Sequence, residues 1–160
     1  MKDPRPCVIA DTLAVVGEKY SLLVLREVLL GARRFDQLAR NTGAPRDVLT
    51  ARLRRLVEAG ILQKTAYSER PRRYEYRPTP AGLDLEPVLM TLKEWGDRHL
   101  RGPHDRPMVI EHACGHELVP VVTCSACGEA VRHEDLTAHP QVPGWTLTGP
   151  AAEGAPTGGA

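Results

Sequence analysis

The run Phe35 to Leu62, FDQLARNTGAPRDVLTARLRRLVEAGIL, constrains the fold most, because one helix within it must serve two different surfaces. It starts at Pro45, a residue favoured in the first turn, and runs to Ala59. Leu49, Leu53, Leu56 and Val57 fall on one stripe of it, and Gly60 follows as a stop. At about 3.6 residues per turn, Asp47, Thr50, Ala51, Arg54, Arg55 and Glu58 fall on the other side, with Arg46 and Arg52 at the margins. The helix therefore packs through one face and presents a wet, mostly basic one. The segment before it, Asp36 to Arg40, has an aspartate placed to cap it and the apolar pair Phe35 and Leu38. Asn41-Thr42-Gly43-Ala44 then makes the turn. Helix, glycine turn and basic amphipathic helix form the helix-turn-helix pattern. Taken alone, the stretch is equally consistent with an ordinary solvated helix.

Charge placement separates the two readings. The whole chain of 160 residues carries a formal net charge of +1, but residues 19 to 78 hold 14 Lys/Arg against 6 Asp/Glu, and residues 108 to 160 hold 1 against 6. A basic middle suits a polyanionic partner, since clustered lysines and arginines release counterions from phosphates.

The flanking segments supply the rest of a small domain. Cys7 to Val16 and Lys19 to Leu30 read as two helices closed by Gly17 and Gly31. The second is apolar nearly all round, which places Leu22, Leu23, Leu25, Val28 and Leu29 in the core. After Gly60, Ile61 to Tyr67 and Tyr74 to Arg77 read as strands around Ser68-Glu69-Arg70-Pro71-Arg72-Arg73, a hairpin with a basic tip. Thr79-Pro80 is a cap and first-turn signal for a single helix from Pro80 to about Leu100, roughly 30 Å long. Leu85, Val88, Leu89, Leu92 and Trp95 line one side of it. The surplus apolar surface predicts a second copy of the same helix in a two-fold dimer.

In this order and spacing the pieces resemble the HxlR-type winged helix-turn-helix transcription regulators, from about Cys7 to Leu100. The residues that carry the resemblance are Cys7, Val16-Gly17-Glu18-Lys19-Tyr20, Leu25-Arg26-Glu27, Gly31 with Arg34-Phe35 and Leu38, Val48-Leu49-Thr50 with Arg52-Leu53 and Leu56, and Glu58-Ala59-Gly60-Ile61-Leu62. They continue through Arg70-Pro71-Arg72-Arg73-Tyr74-Glu75-Tyr76, Thr79-Pro80-Ala81-Gly82 and Trp95-Gly96. The resemblance implies a homodimeric regulator, expected to act as a repressor, that binds double-stranded DNA at an inverted repeat. It also allows a redox or electrophile switch at Cys7, the position some members use, with a buried structural cysteine as the alternative, and so leaves room for an oxidant or small-molecule effector. Tyr20 stands where the family usually has tryptophan, and Val8 replaces the proline that usually follows the cysteine. Pro45 and Asp47 stand where a capping serine and a basic residue are common, so the operator sequence is not inherited from relatives.

The expected division of roles follows. Arg46, Thr50, Arg54 and Arg55 face the major groove, where arginine binds guanine O6 and N7 with two parallel bonds, and Asp47 contributes to base selection. Arg70, Arg72 and Arg73 grip the backbone or minor groove from the wing, and Arg33 or Arg34 touches phosphate.

Beyond Gly102-Pro103 the chain changes character. Cys124-Ser125-Ala126-Cys127-Gly128 has zinc-knuckle spacing, and the preceding half offers Cys114 with His112 or His116 beside it. One structural zinc per chain in a Cys3His set is therefore the candidate cofactor, with His133 and His139 as weaker fourth ligands and a metal-free hairpin as the alternative. A hydrolase reading of His112, His116 and Glu117 needs a helix that Gly115 and Pro120 oppose, so no enzyme is expected.

The expectation is thus a mainly α fold with a small β-wing, a long C-terminal dimerisation helix and a small β, zinc-ribbon-like appendage. Residues 7–101 form the DNA-binding and dimerisation domain, 102–107 a linker, 108–136 the appendage and 137–160 a Pro/Gly/Ala-rich disordered tail. With no apolar run long enough for a membrane span and no signal-peptide core in MKDPRPC, a cytoplasmic location is expected. The competing function is a zinc-ribbon adaptor whose helical domain is a protein-binding and dimerising platform.

Overall fold

The computed structural model describes residues 5–70, 72–102 and 105–151; Pro71 at the expected wing tip, Pro103 in the linker and the last nine residues of the tail lie outside them. The helices are α1 (Val8–Val16), α2 (Lys19–Leu29), α3 (Phe35–Thr42), α4 (Arg46–Glu58), α5 (Pro80–Leu83) and α6 (Glu86–His99). The strands β1 (Leu62–Glu69) and β2 (Arg72–Pro78) lie between α4 and α5, giving the winged helix-turn-helix order.

The core forms where the apolar stripes meet. Leu49, Leu53 and Leu56 of α4 are fully buried against Val24, Leu25 and Val28 of α2 and Leu38 of α3. Truncating such a leucine to alanine costs about 2–5 kcal/mol. The all-round apolar reading of α2 needs correction, since Leu22, Leu23 and Leu29 are only half-buried while Ser21 and Glu27 are buried. Glu27 keeps its carboxylate inside because Arg26 Nη2 donates at 2.6 Å and Asn41 Nδ2 at 2.8 Å, which also ties α2 to the end of α3.

Two left-handed glycines set the geometry at the two ends of α4. Gly43, at φ 66°, ends α3 and lets the chain turn into α4. Gly60, at φ 69°, ends α4 with Ile61 N–H bonded to Leu56 O at 2.9 Å and Gly60 N–H to Val57 O at 3.0 Å, a closed motif that satisfies orphan carbonyls and launches β1.

β1 and β2 pair antiparallel from Leu62↔Pro78 to Glu69↔Arg72, with a bulge that leaves Tyr67 unpaired between Ala66 and Ser68. The hairpin is stapled to the segment before α3, where Tyr76 N–H donates to Arg33 O at 2.8 Å and Arg34 bridges Glu75. The wing therefore stands at a fixed place beside α3.

The single helix expected over 80–100 is two. Pro87 lacks an N–H, and its ring excludes the carbonyl of Leu83 from a continuous helix, so α5 ends at Leu83 and α6 restarts with Pro87 in its first turn. The second piece has 14 residues, about 21 Å, shorter than the expected rod.

Two compact units divide the described residues, one of Thr12–Val121 and one of residues 5–11 with 122–151. The expected appendage is split between them. Its first turn, with Glu111 bridging Glu117, belongs to the larger unit, and its second, with Thr123 bridging Ala130, to the smaller. Within the smaller unit, residues expected to be structureless make a turn in which Thr146 N–H bonds Gly149 O at 2.7 Å and Ala151 N–H bonds Gly144 O at 2.8 Å. Arg5 clasps this turn, donating to Thr146 O and Leu147 O at 2.9 Å each, with its guanidinium 5.5 Å from the Trp145 ring centroid. No described side chain from residue 101 to 151 is buried.

Candidate nucleic-acid interface

The outward face of α4 is arranged as its periodicity requires. Arg46, Asp47, Thr50 and Arg54 are exposed and, with Phe35 and Ala51, line a shallow groove of about 510 Å³. Arg55 is also exposed but stands outside that groove, and Arg52 is drawn to Glu18 at 3.5 Å. The Thr50 hydroxyl donates to Arg46 O at 2.7 Å and keeps its lone pairs for another donor. Arg54 Nε lies 3.6 Å from Glu58 Oε1, a wet pair one helical turn apart that a stronger acceptor can displace.

A second hollow, of about 580 Å³, opens between α3 and the wing and shares Phe35 and Arg46 with the first. Arg34, Arg40, Arg46, Arg72 and Arg73 line it, together with Tyr67, Tyr74 and Tyr76. The aromatic rings space the cations. Arg34 Cζ lies 4.8 Å from the Tyr67 ring centroid, and Lys64 Nζ and Arg72 Cζ lie 3.9 and 5.6 Å from that of Tyr74. Tyr76, buried behind them, has its hydroxyl held above the usual tyrosine range, first by burial and then by the neighbouring Tyr74. Arg70 is exposed at the hairpin tip and does not line the hollow.

Arg33 and Arg34 are placed differently. Arg33 Nη1 donates to Val28 O at 2.9 Å and serves the end of α2, whereas Arg34 is exposed and faces the hollow. Arg40, Tyr67 and Tyr74 line the hollow without having been expected there, and Lys64 stands over the Tyr74 ring. Arg40 sits on a helix whose exposed face gave no base-reading signal, and Tyr67 reaches Arg34 through a bulge that strand alternation does not reveal. The expected cap is also different. Gln37 Oε1 accepts the N–H groups of Arg33 and Arg34 at 3.1 and 2.9 Å, which leaves Asp36 to accept from Arg46 at 3.1 Å.

Of the five residues expected at a dimer interface, Leu89 is buried in the chain's own core and Leu85 is half-buried against it. Val88, Leu92 and Trp95, at positions i, i+4 and i+7 of α6, are 53, 52 and 53% exposed. Cys7 is exposed just before α1.

The expected zinc ligands are divided between the two units, with His112, Cys114 and His116 in the larger and Cys124 and Cys127 in the smaller. Among the described residues no group of three His, Cys, Asp or Glu comes together as a metal set. Cys124 and Cys127 are exposed thiols on one turn, where Gly128 N–H bonds Cys124 O at 2.8 Å. The Cys124 thiol is pulled below the usual range by the Ala126 N–H, then by the N–H and thiol of Cys127. His112 Nδ1 instead meets the Cys114 N–H at 3.3 Å and His116 Nδ1 lies 3.2 Å from Cys114 O, so both rings engage their own turn. Glu117 is paired with Arg106. His133 opens a short 3-10 turn, and His133 and His139 are exposed.

Comparison with known proteins agrees with the winged architecture. Residues 15–103 match the model of the HxlR-like helix-turn-helix family. The chain is 44% identical over 133 residues to the HTH-type transcriptional regulator Rv3095 of Mycobacterium tuberculosis, covering 82% of this chain and 84% of that protein, which reaches beyond the family's own limits. Among solved structures, PA1607, described as a candidate transcription factor, superposes with a TM-score of 0.74 at 28% identity, over 84% of this chain and 95% of its own. The redox regulator HypR in its oxidised form gives 0.54 at 32% identity, over 58% of this chain and 97% of its own. The chain belongs to the HxlR-like helix-turn-helix family of transcriptional regulators.

Proposed function

We propose that the chain acts as a homodimeric repressor that reads an inverted-repeat operator, with α4 in the major groove and the wing on the adjoining backbone. The observation that carries this reading is the pair of hollows joined at Arg46 and Phe35. One is lined by the base-reading face of α4, and the other is lined by arginines spaced with tyrosines. Arg46, Thr50, Arg54 and Arg55 supply donors to base edges, and Asp47 can accept from cytosine N4. Arg34, Arg40, Arg70, Arg72 and Arg73 neutralise phosphates. The exposed stripe Val88, Leu92 and Trp95 joins two copies, and the symmetry of the pair sets the spacing of the half-sites. Occupying a promoter in this way blocks transcription.

A gel shift against the promoter-proximal DNA of its own locus, over a series of salt concentrations, tests the reading. Specific binding whose log affinity falls steeply with log salt supports it, and no binding at low salt overturns it in favour of a protein-binding platform. Cys7, exposed at the start of α1 and at the position the resemblance marks, is the residue through which an oxidant would act, a reading in keeping with the similarity to the redox regulator HypR in its oxidised form. If the DNA affinity of Cys7→Ser still responds to peroxide as the wild type does, that part of the proposal fails.

A further inference from the structure

Arg46 opens α4 and lines both hollows of the interface. Its Nη1 donates to Asp36 Oδ1 at 3.1 Å, and its Cζ lies 4.8 Å from the centroid of the Phe35 ring. The side chains of Arg46 and Asp36 are 73% and 83% exposed, and an ion pair so wet does little for folding. The cap of α3 does not depend on Asp36 either, because Gln37 already takes the N–H groups of Arg33 and Arg34. The pair does restrict the guanidinium. One donor is committed to Asp36 and one face rests on Phe35, so its plane is fixed while other donors stay available.

We propose that Asp36 is a positioning residue for sequence recognition: with Phe35 it holds the Arg46 guanidinium in one plane at the start of α4, ready to meet O6 and N7 of a guanine. A free arginine must give up its rotamer freedom when it binds a base; a braced one has done so already. The carboxylate also lies on a surface that meets phosphate, so it weakens binding to any duplex while sharpening the choice among duplexes. The inference rests on the DNA-reading function proposed above.

The test uses the full chain and a consensus duplex selected by the wild type from a random library. Affinities at fixed salt are measured for the consensus, for duplexes with each G·C pair of a half-site changed to A·T, and for a random duplex. Asp36→Asn is expected to lower discrimination at one guanine about tenfold while affinity for the random duplex stays level or rises a few-fold. A folding defect would lower both. In an Arg46→Ala background, Asp36→Asn is expected to leave discrimination unchanged. Wild-type discrimination in Asp36→Asn overturns the inference, as does an Asp36→Asn effect that persists without Arg46, since Asp36 would then be reading a base itself. If the wild type selects no consensus, the DNA-reading function itself has failed and the inference falls with it.

Discussion

The Thr79 hydroxyl donates to the carbonyl oxygen of Gly60 at 2.5 Å, joining the end of the wing to the end of α4. The Thr79 hydroxyl oxygen also lies 3.1 Å from Ile61 O and accepts from Gly82 N–H at 3.2 Å, so one side chain caps α5 and braces the corner from which β1 departs. Thr79→Ala is expected to cost about 1–2 kcal/mol. Gly82→Ala is expected to cost more, about 3 kcal/mol, because a Cβ there would lie 2.3 Å from Ile61 O. Urea midpoints of the two variants check both values, and a wild-type midpoint for Gly82→Ala would show that the corner yields without strain.

Arg33 and Arg34 are expected to behave differently although they are neighbours. Arg34→Ala should weaken binding to specific and random duplexes alike and lower the salt slope by about one, with the melting temperature unchanged. Arg33→Ala should lower the melting temperature, because its guanidinium serves the carbonyl of Val28, and should leave the salt slope alone. Salt-series titrations with parallel melts separate the two.

The apolar residues of α6 divide in the same manner. Leu92→Glu is expected to shift the chain from dimer to monomer in sedimentation equilibrium with its helicity intact, since Leu92 is half exposed in the single chain. Leu89→Ala is expected instead to destabilise the fold by about 2–5 kcal/mol. A dimeric Leu92→Glu variant would remove α6 from the interface.

Much of this was legible in the sequence because periodicity is a local property. The stripe Leu49, Leu53, Leu56 and the wet arginines opposite it follow from the helical repeat alone, and Gly60 marks the stop. What could not be read depends on contacts between segments distant in sequence, or on one residue whose veto was overlooked. Pro87 divides a helix whose apolar repeat runs straight through it, and Leu89, just after the break, is buried in the chain's own core. Asp36 looks like a cap by position, but Gln37 makes the cap and Asp36 pairs ten residues ahead. The spacing of Cys124 and Cys127 marks a genuine turn, whereas the contacts of His112 and His116 with the Cys114 backbone depend on a turn that no ligand spacing describes.

Stability at alkaline pH should report on Tyr76. The fold raises its hydroxyl above the ordinary value of about 10, chiefly by burial, so the folded state holds the proton more tightly than the unfolded state does. The contribution is whole below pH about 10 and is lost as pH rises through the folded value. Tyr76→Phe should therefore lose less stability than the wild type as pH rises above about 10. Equal losses in urea titrations would mean that Tyr76 contributes nothing.

Cys124 should be the thiol that alkylates fastest in the 124–127 turn at neutral pH, because the N–H groups of Ala126 and Cys127 and the Cys127 thiol favour its thiolate. Cys127→Ala is expected to slow its labelling by iodoacetamide without stopping it, since the Ala126 N–H remains. Peptide mapping of the label shows whether Cys127 instead reacts first.

The absence of any buried side chain among the described residues from 101 to 151 has a consequence for how the molecule opens. With almost no apolar surface to expose, that stretch can unravel at little cost in free energy or heat capacity, so its amides should exchange with deuterium in seconds while those of α2 wait for global unfolding. The chain thus keeps two clocks. A calorimetric melt times only the slow one, and a substitution in the Cys124–Cys127 turn will look silent in it whatever that substitution does to regulation.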